Sequence, residues 1–588
     1  MDSTESQDVA LRTADLQQRL LDQLLGNGDG HPPLGLVEGP FAQTTYTDHG
    51  CPLRLATDGA GAAGVAQQPP VTDTSYYQWL FPDLAGFCPD DAAIKKLGAP
   101  CGPMDNNPPT GLNTMCSQLG PPVSLFNHAS AIPPLTSPRN PAKEGIPAGY
   151  TYLGQFLDHN ITFQADATFD TNTPGTTANY RSARIDLEHV YGLGPQTQAF
   201  QYYDINQTGK FWIDPDREFD VPRNPQGCPI IADPRNDNTI ITIQLHLAFM
   251  KFHNAVVDLM RGSVDDLLLF SHAKKRVVWH YQWMILNDWL PRIIRETVHA
   301  QIMSQGPQFY EPVPGQPLLL PVEFSVACYR LHSLVLETYA LNDSTSGHIF
   351  NFRKPFAALS RDEVIDWTRF FAIPRSTSDT QGKRFPQWAK RFDAKIVHAF
   401  LQMPGPIDNP LLWIDNPEMS EPLPKDPSQK YVPLRSIAIR NMLRANSFER
   451  TAQDAPNLSP NSRKGLPSGQ DLASRVRIKY PKEPAEVYDN YQIGIPEDWY
   501  PADKAPLWFY ALREGAIQEE CPDIGSLKLG TLASVIVGEV LYGLVAADPG
   551  SYLAYNQGKN EKDQWKPNLG LQPGTFYMSD LFRVAGLA

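Results

Sequence analysis

Gly154-Gln155-Phe156-Leu157-Asp158-His159-Asn160-Ile161-Thr162-Phe163 is the stretch on which the reading of this chain turns, because an acid and a histidine stand side by side among apolar residues. A helix is expected here. Neighbours on a helix point about 100° apart, so Asp158 and His159 cannot both face one small partner, yet they can flank a large flat one such as a macrocycle. Taken alone, the pair reads as a core histidine hydrogen-bonded to its neighbour.

Three further motifs follow in order: Asp233-Pro234-Arg235-Asn236-Asp237-Asn238, Tyr329-Arg330-Leu331-His332-Ser333 and Arg440-Asn441-Met442-Leu443-Arg444. With Gly154 to Phe163 they resemble, in residue type and order, the signature elements of the animal-type haem peroxidases, the peroxidase-cyclooxygenase superfamily. The resemblance runs from about residue 149 to 553. It implies a mainly α fold, a haem-peroxidase-like helical bundle with long irregular loops and little β. Residues 141–588 would form the catalytic domain and residues 1–140 an irregular arm wrapping it.

The resemblance also implies roles. His159 would be the distal histidine that moves the peroxide proton, a task suited to a group titrating near neutral pH. Gln155 would organise distal water, and Asp158 would form an ester to a haem methyl. Arg235 corresponds to the distal arginine, a permanent cation that stabilises charge on the leaving oxygen; without the other motifs it reads as a surface arginine beside a helix. Asn238 stands where several members carry a second ester-forming Glu, so that link is expected to be absent. His332 would bind the haem iron, and Asn441 would accept a hydrogen bond from its other ring nitrogen, fixing tautomer and direction.

Tyr180 to Gly192 resembles the family's calcium loop, with Ser182, the Arg184 carbonyl, Asp186, Glu188 and Asn160 at the ligand positions. Oxygen donors suit Ca²⁺. Asn160 replaces the usual Asp and brings no charge, which leaves open an ion-free loop in which Arg184 pairs with the acids.

The proximal motif departs from the usual peroxidase pattern, which places tyrosine four residues before the histidine ligand. Tyr329 lies three before His332, and on a helix one deletion turns everything upstream by about 100° and draws it in by about 1.5 Å. Tyr-x-x-His is the spacing of cyclooxygenases and fatty-acid dioxygenases, in which the tyrosine becomes a radical. Tyr329 is thus either a redox residue or a structural tyrosine on a shifted helix.

Elsewhere the helical expectations are Leu16–Leu25, Ile240–Met260, Arg276–Ile293 ending at Leu-Pro, Pro506–Glu520 and Leu527–Ala547, with Glu323–Leu336 as the segment that would hold the iron and Ser436–Arg444 as the one that contains Asn441. Residues 446–464 read as a surface insertion, and the Pro-rich stretches 404–433 and 481–506 as ordered loops. The helix at 16–25 either packs or touches a membrane, although its polar face carries little basic charge. The run Thr531 to Ala547 carries Glu539 and is short for a span, so it reads as a buried helix.

The formal charge of −14, from 64 acidic and 50 basic residues, argues against nucleic acid as a partner. Cys51, Cys88, Cys101, Cys116, Cys228, Cys328 and Cys521 are sparse and include no C-x-x-C, so reduced thiols are expected. Met1-Asp2-Ser3-Thr4-Glu5 lacks a signal-peptide pattern, and a cytoplasmic chain without a transmembrane segment is expected. The reaction expected is cleavage of peroxide to a ferryl haem that oxidises an organic substrate. The alternative is oxygenation of a fatty acid with O₂ through a Tyr329 radical, and a haem-free structural relative is the third reading.

Overall fold

The computed structural model describes residues 75–99, 102–106, 145–163, 172–195, 197–198, 209–352, 354–373, 386–401, 420–422, 431–433, 436–495, 504–520 and 525–588. The expected helix at 16–25, most of the 1–140 arm, most of 404–433, and Cys51, Cys101, Cys116 and Cys521 lie outside these residues. The α-helices of seven or more residues are α1 (Asp91–Gly98), α2 (Gly149–Ile161), α3 (Ile240–Met260), α4 (Asp266–Met284), α5 (Glu296–Gln305), α6 (Ile437–Ser447), α7 (Gly469–Arg477), α8 (Leu507–Gln518), α9 (Thr531–Ala547) and α10 (Met578–Val584). Strand content is low. The fold is a mainly helical bundle with little strand among the described residues.

α3 is the central helix. Thr239 caps it by accepting the Thr242 N–H, and its apolar positions continue all round the helix, the pattern of a helix enclosed on every side. α2, α4 and α10 pack on it. By length and composition α3 would also suit a membrane span, but 83 % of its apolar window is buried inside the protein. α9, the run expected to be buried, packs against α5, α7 and α8.

Two expected helices differ from what is found. The one expected over Arg276–Ile293 begins earlier, at Asp266, capped by Asp265. It passes through a π turn, Ile285–Trp289, and ends at Ile293. Pro291 has no N–H to give to the ladder, and the wider turn immediately before it is where the ladder opens. The second difference is the proximal segment. Glu323–Cys328 is a π turn, Tyr329 leaves it at φ −93° and ψ 11°, and His332–Leu334 is a single 3₁₀ turn. The rotation of about 100° per deleted residue therefore does not apply between Tyr329 and His332.

A small sheet ties the chain ahead of α2 to the body. β1 (Ser75–Gln78) lies between β2 (Ala178–Asn179), antiparallel with Ser75 opposite Asn179, and β3 (Leu320–Pro321), parallel with Tyr77 opposite Leu320. Just past β3, the buried Glu323 carboxylate accepts the N–H groups of Leu80 and Phe81, each at 3.0 Å.

Glu539, the one acid in α9, is fully buried and satisfies a chain reversal. Its carboxylate accepts the N–H groups of Gln308 (2.8 Å), Phe309 (2.7 Å) and Tyr310 (3.0 Å), together with the Tyr480 hydroxyl (2.6 Å). Removing the acceptor strands several buried donors at once. Glu539→Leu should lower unfolding stability by about 3–5 kcal/mol, read from the urea midpoint; an unchanged midpoint would show that water replaces the carboxylate.

Candidate active site

α2 carries the residues expected on the distal side. Along it Tyr152, Leu153, Phe156, Leu157 and Ile161 are buried, while Thr151, Gln155, Asp158 and Thr162 are partly accessible at i, i+4, i+7 and i+11. That stripe is one helix face, so Gln155 and Asp158 are presented together. Thr162 ends the helix, returning its N–H and its hydroxyl to the Asp158 carbonyl, while the same hydroxyl lies 3.1 Å from the Asp158 carboxylate.

His159 is 6 % exposed, and two guanidinium groups reach its carbonyl oxygen, Arg235 Nη2 at 2.9 Å and Arg181 Nε at 3.3 Å. Both arginines also bind the wholly buried Asp233, at 2.7 and 2.5 Å. Burial alone would raise the Asp233 carboxyl, but Arg235 and Arg181 together hold it well below its usual range. Burial, then the Arg235 charge, pushes His159 below the ordinary imidazole value, so the ring is neutral near pH 7. The ring Nδ1 lies 2.8 Å from Asn236 Oδ1, and Asn236 Nδ2 lies 2.9 Å from His246 Nδ1.

Arg235 is the expected distal cation, with two edges already engaged. Nε and Nη2 bind Asp233 and the His159 carbonyl, and the guanidinium lies 4.5 Å from the centre of the Phe163 ring. Nη1 is the donor left for a ligand.

The proximal wall is the 323–336 segment, packed against α6, α8 and α9. Trp508 on α8 fixes the turn by donating Nε1–H to the Arg330 carbonyl at 2.8 Å. The His332 ring meets Trp508 and Phe400 edge-on, with centroids 6.0 and 6.1 Å away. Its Nδ1 is buried without a well-formed hydrogen bond. Burial first, then Arg330, lowers His332 to about 3, leaving a neutral imidazole, the metal-binding form. Asn441 lies on α6, 7 % exposed, with Nδ2 also buried and unpartnered. The hydrogen bond expected between Asn441 and His332 is not made, and each residue retains an unused buried polar atom.

Arg330, Arg444, Asp158 and Tyr77 share one electrostatic neighbourhood, and Arg440 acts on His332. Burial, then Arg330, lowers Arg444 to about 10. Several guanidiniums gathered around one partly accessible carboxylate suit an anionic guest. With His332 neutral and its Nδ1 unused, the residues present fit haem.

Tyr329 bridges the two walls. Its hydroxyl donates to the Gly154 carbonyl of α2 at 3.1 Å, and its ring stacks on Phe324 and tilts against Trp289. A Cβ at Gly154 would come 3.1 Å from the Trp289 ring, so glycine is what lets α2 approach this closely. Burial, then Asp158, pushes the phenol far above its usual value.

The five residues proposed for calcium do come together, but as a self-satisfied loop. Asn160 Nδ2 donates to Asp186 at 3.2 Å, and Asn160 Oδ1 accepts the Leu187 N–H at 3.1 Å. Asp186 also takes the Glu188 N–H, Glu188 takes the Ser182 N–H and Arg181, and Ser182 Oγ takes the Arg184 N–H. The Arg184 side chain does not pair with these acids, as the ion-free alternative had it; it reaches Asp548 at 3.8 Å, and Arg181 takes the place by Glu188. Among the described residues no group of three or more His, Cys, Asp or Glu is arranged to hold a metal. The donor set does not fit Ca²⁺: the amide turns its N–H₂ toward Asp186, whose carboxyl burial raises toward the neutral form.

Sequence reasoning passed over Asp233, Asn236, His246 and His189. The first two lay in a quoted motif without roles, and His246 on α3 reads as core. His189 is fully buried against Phe156 with neither ring nitrogen bonded; no pattern in the sequence marks it.

Residues 147–366 match the family model described as animal haem peroxidase. Over this region the chain is similar to that family. The match includes His159, Arg235 and His332, whereas Asn441 lies beyond it. A peroxidase-like protein from Margaritifera margaritifera is 28 % identical over 218 residues, 31 % of this chain and 25 % of that protein. A peroxidasin homologue from Caenorhabditis elegans is 22 % identical over 159 residues, 26 % of this chain and 11 % of that protein. The matches thus span a quarter or less of these superfamily relatives. Among solved structures, the fatty acid alpha-dioxygenase of Oryza sativa has a TM-score of 0.46 at 14 % identity, covering 75 % of this chain and 72 % of its own. Peroxidase A from Dictyostelium discoideum has a TM-score of 0.44 at 14 % identity, covering 74 % and 87 %. Likenesses at this level do not select between the two activities.

Leu187 has φ 60° and Ala183 φ 57° in the Ser182–Glu188 loop, left-handed conformations that cost a non-glycine residue of order 1 kcal/mol or more. The Asn160 amide, which binds the Leu187 N–H, holds that conformation. Chelation with EGTA should leave the thermal midpoint unchanged, while Asn160→Leu should lower stability by about 2 kcal/mol; a midpoint that falls on chelation would show a bound cation.

Proposed function

We propose that the chain is a haem-dependent oxidoreductase of the peroxidase type, acting on peroxide and a small organic donor. The observation that carries this reading is His159: a buried, neutral imidazole with Nδ1 engaged, Nε2 making no hydrogen bond within the protein, and an arginine anchored to its own carbonyl.

His332 would hold the haem iron, and Arg330, Arg440 and Arg444 would face the propionates. Asp158 is the residue for an ester, and the amide at Asn238 cannot form a second. Bound haem would supply the electrons that break the O–O bond and recover them from the organic donor. His159 Nε2 takes the proton from the inner peroxide oxygen and returns it to the outer one, which leaves as water. Arg235 Nη1 lies on the same wall to meet the negative charge that develops on the leaving oxygen. Gln155, on the accessible face of α2, orders water there.

Lipid oxygenation through Tyr329 is the competing reading. One-electron oxidation of a phenol releases its proton, and the acceptor at Tyr329 is a backbone carbonyl, a very weak base. That bond supports a structural role for Tyr329 and the peroxidase reading over the radical one.

His159→Ala should still bind haem but consume peroxide about 10²–10⁴-fold more slowly; an unchanged rate would remove His159 from the chemistry. Tyr329→Phe should cost about 1 kcal/mol of stability and leave oxidation of a phenolic donor near the parent rate. Collapse of O₂ incorporation into a fatty acid in that variant, with peroxide consumption intact, would install the radical reading instead. Under acid-acetone extraction the Asp158→Ala variant should release all its haem; haem that stays attached would locate the link elsewhere.

A further inference from the structure

We propose that Asn236 is a positioning residue that fixes the proton of His159 on Nδ1, so that Nε2 presents its lone pair to the substrate, with His246 as the anchor that sets the Asn236 amide. This rests on the reading of His159 as the group that moves the peroxide proton. The Asn236 amide has two unlike ends. It has an accepting end and a donating end, and it exchanges them only by turning over.

Asn236 meets a histidine Nδ1 at each end. Its Oδ1 is 2.8 Å from His159, and its Nδ2 is 2.9 Å from His246. With the amide in this orientation, His159 Nδ1 carries the hydrogen and His246 Nδ1 does not. The two ring protons are therefore determined together, and His159 Nε2 is left as the acceptor. Turning the amide over would reverse both assignments and place a hydrogen on His159 Nε2, where it would block proton uptake.

The surroundings favour the first orientation. Arg235 and Arg181 both bind the His159 carbonyl, so positive charge collects on the His159 side of the amide. The negative, oxygen end of the amide dipole is stabilised on that side. Asp233 faces both rings, Asp158 acts on His159, and both histidines act on His189. His246 sits on α3, 1 % exposed, with the Phe156 ring 6.5 Å away.

The Asn236 backbone has little freedom to drift. It belongs to the 3₁₀ turn Pro234–Asp237, whose start is capped by Asp233 accepting the Arg235 N–H. The far end is held through Asp237, which binds Arg223 at 2.6 and 3.1 Å and accepts the Phe356 N–H at 2.7 Å. Asn236 is itself wholly buried, so water does not compete for either end of the amide. The residue after the cationic Arg235 thus sets the protonation pattern of the base that works beside it.

The test reads the tautomer directly and does not need haem. The full-length, haem-free chain is labelled with ¹⁵N-histidine, long-range ¹H–¹⁵N spectra are recorded, and His159 is assigned by its loss in His159→Gln. The proposal expects a protonated Nδ1 and an unprotonated Nε2 for His159, with the opposite pattern for His246. In Asn236→Leu, of similar volume, His159 should move to the Nε2–H form or a mixture of the two, and haem-loaded protein should consume peroxide about 10²-fold more slowly. Asn236→Asp, whose carboxylate still accepts from His159 Nδ1–H, should restore the His159 pattern and most of the rate. A parent His159 already protonated on Nε2 overturns the proposal, even if Asn236→Leu does not fold. So does an Asn236→Leu variant that keeps the parent pattern. The expected parent pattern in a haem-loaded chain that does not consume peroxide upholds the clamp and retires the peroxidase reading.

Discussion

The Asp233 carboxylate is the contact on which the candidate site depends. It is wholly buried, it caps the turn that carries Arg235 and Asn236, and it gathers Arg235 and Arg181. Those two arginines in turn grip the His159 carbonyl near the end of α2. Removing one partner of such a buried ionic arrangement costs about 3–5 kcal/mol because the remaining charge is left without solvent or counterion. The same network that closes α2 onto the Pro234–Asp237 turn therefore sets the electrostatics of the histidine between them. Structure and chemistry are joined at a single acid.

The two walls differ in how completely the protein satisfies itself. On the side of α2 the central groups are paired, since Asp233 takes up the arginines, Asn236 takes up His159 and His246, and Thr162 reaches Asp158, while both His189 ring nitrogens stay unbonded. On the proximal side His332 Nδ1 and Asn441 Nδ2 are buried without well-formed bonds, and Arg330, Arg440 and Arg444 cluster nearby. Buried polar groups left unused are costly, and a concentration of guanidiniums is costlier still.

The bounds of α3 were legible because twenty-one residues of helical, apolar sequence begin at a threonine cap. α2 was legible as the setting of Asp158 and His159. The π turns were not, since nothing in residue type separates a 4.4-residue turn from a 3.6-residue one; Pro291 was the available signal for the first, inside a helix whose end at Ile293 was itself legible. The same blind spot turned the proximal segment into a helix and gave Tyr329 a rotation argument that its actual backbone does not obey. Family motifs singled out His159, Arg235, His332 and Asn441, but did not give the partners of each. The Arg181 and Arg184 exchange at Glu188 and Asp548, and the amide between His159 and His246, depend on contacts 7 to 364 positions apart that spacing alone does not encode.

The central claim is that His332 is the residue that faces the iron from the proximal wall. Resonance Raman spectra of the reduced, haem-loaded protein test it most directly through the iron–imidazole stretching band. The account predicts a band that shifts with ¹⁵N-histidine, disappears in His332→Gly and returns when imidazole is added to that variant. A band that persists unchanged in His332→Gly would contradict it and put the iron on another residue.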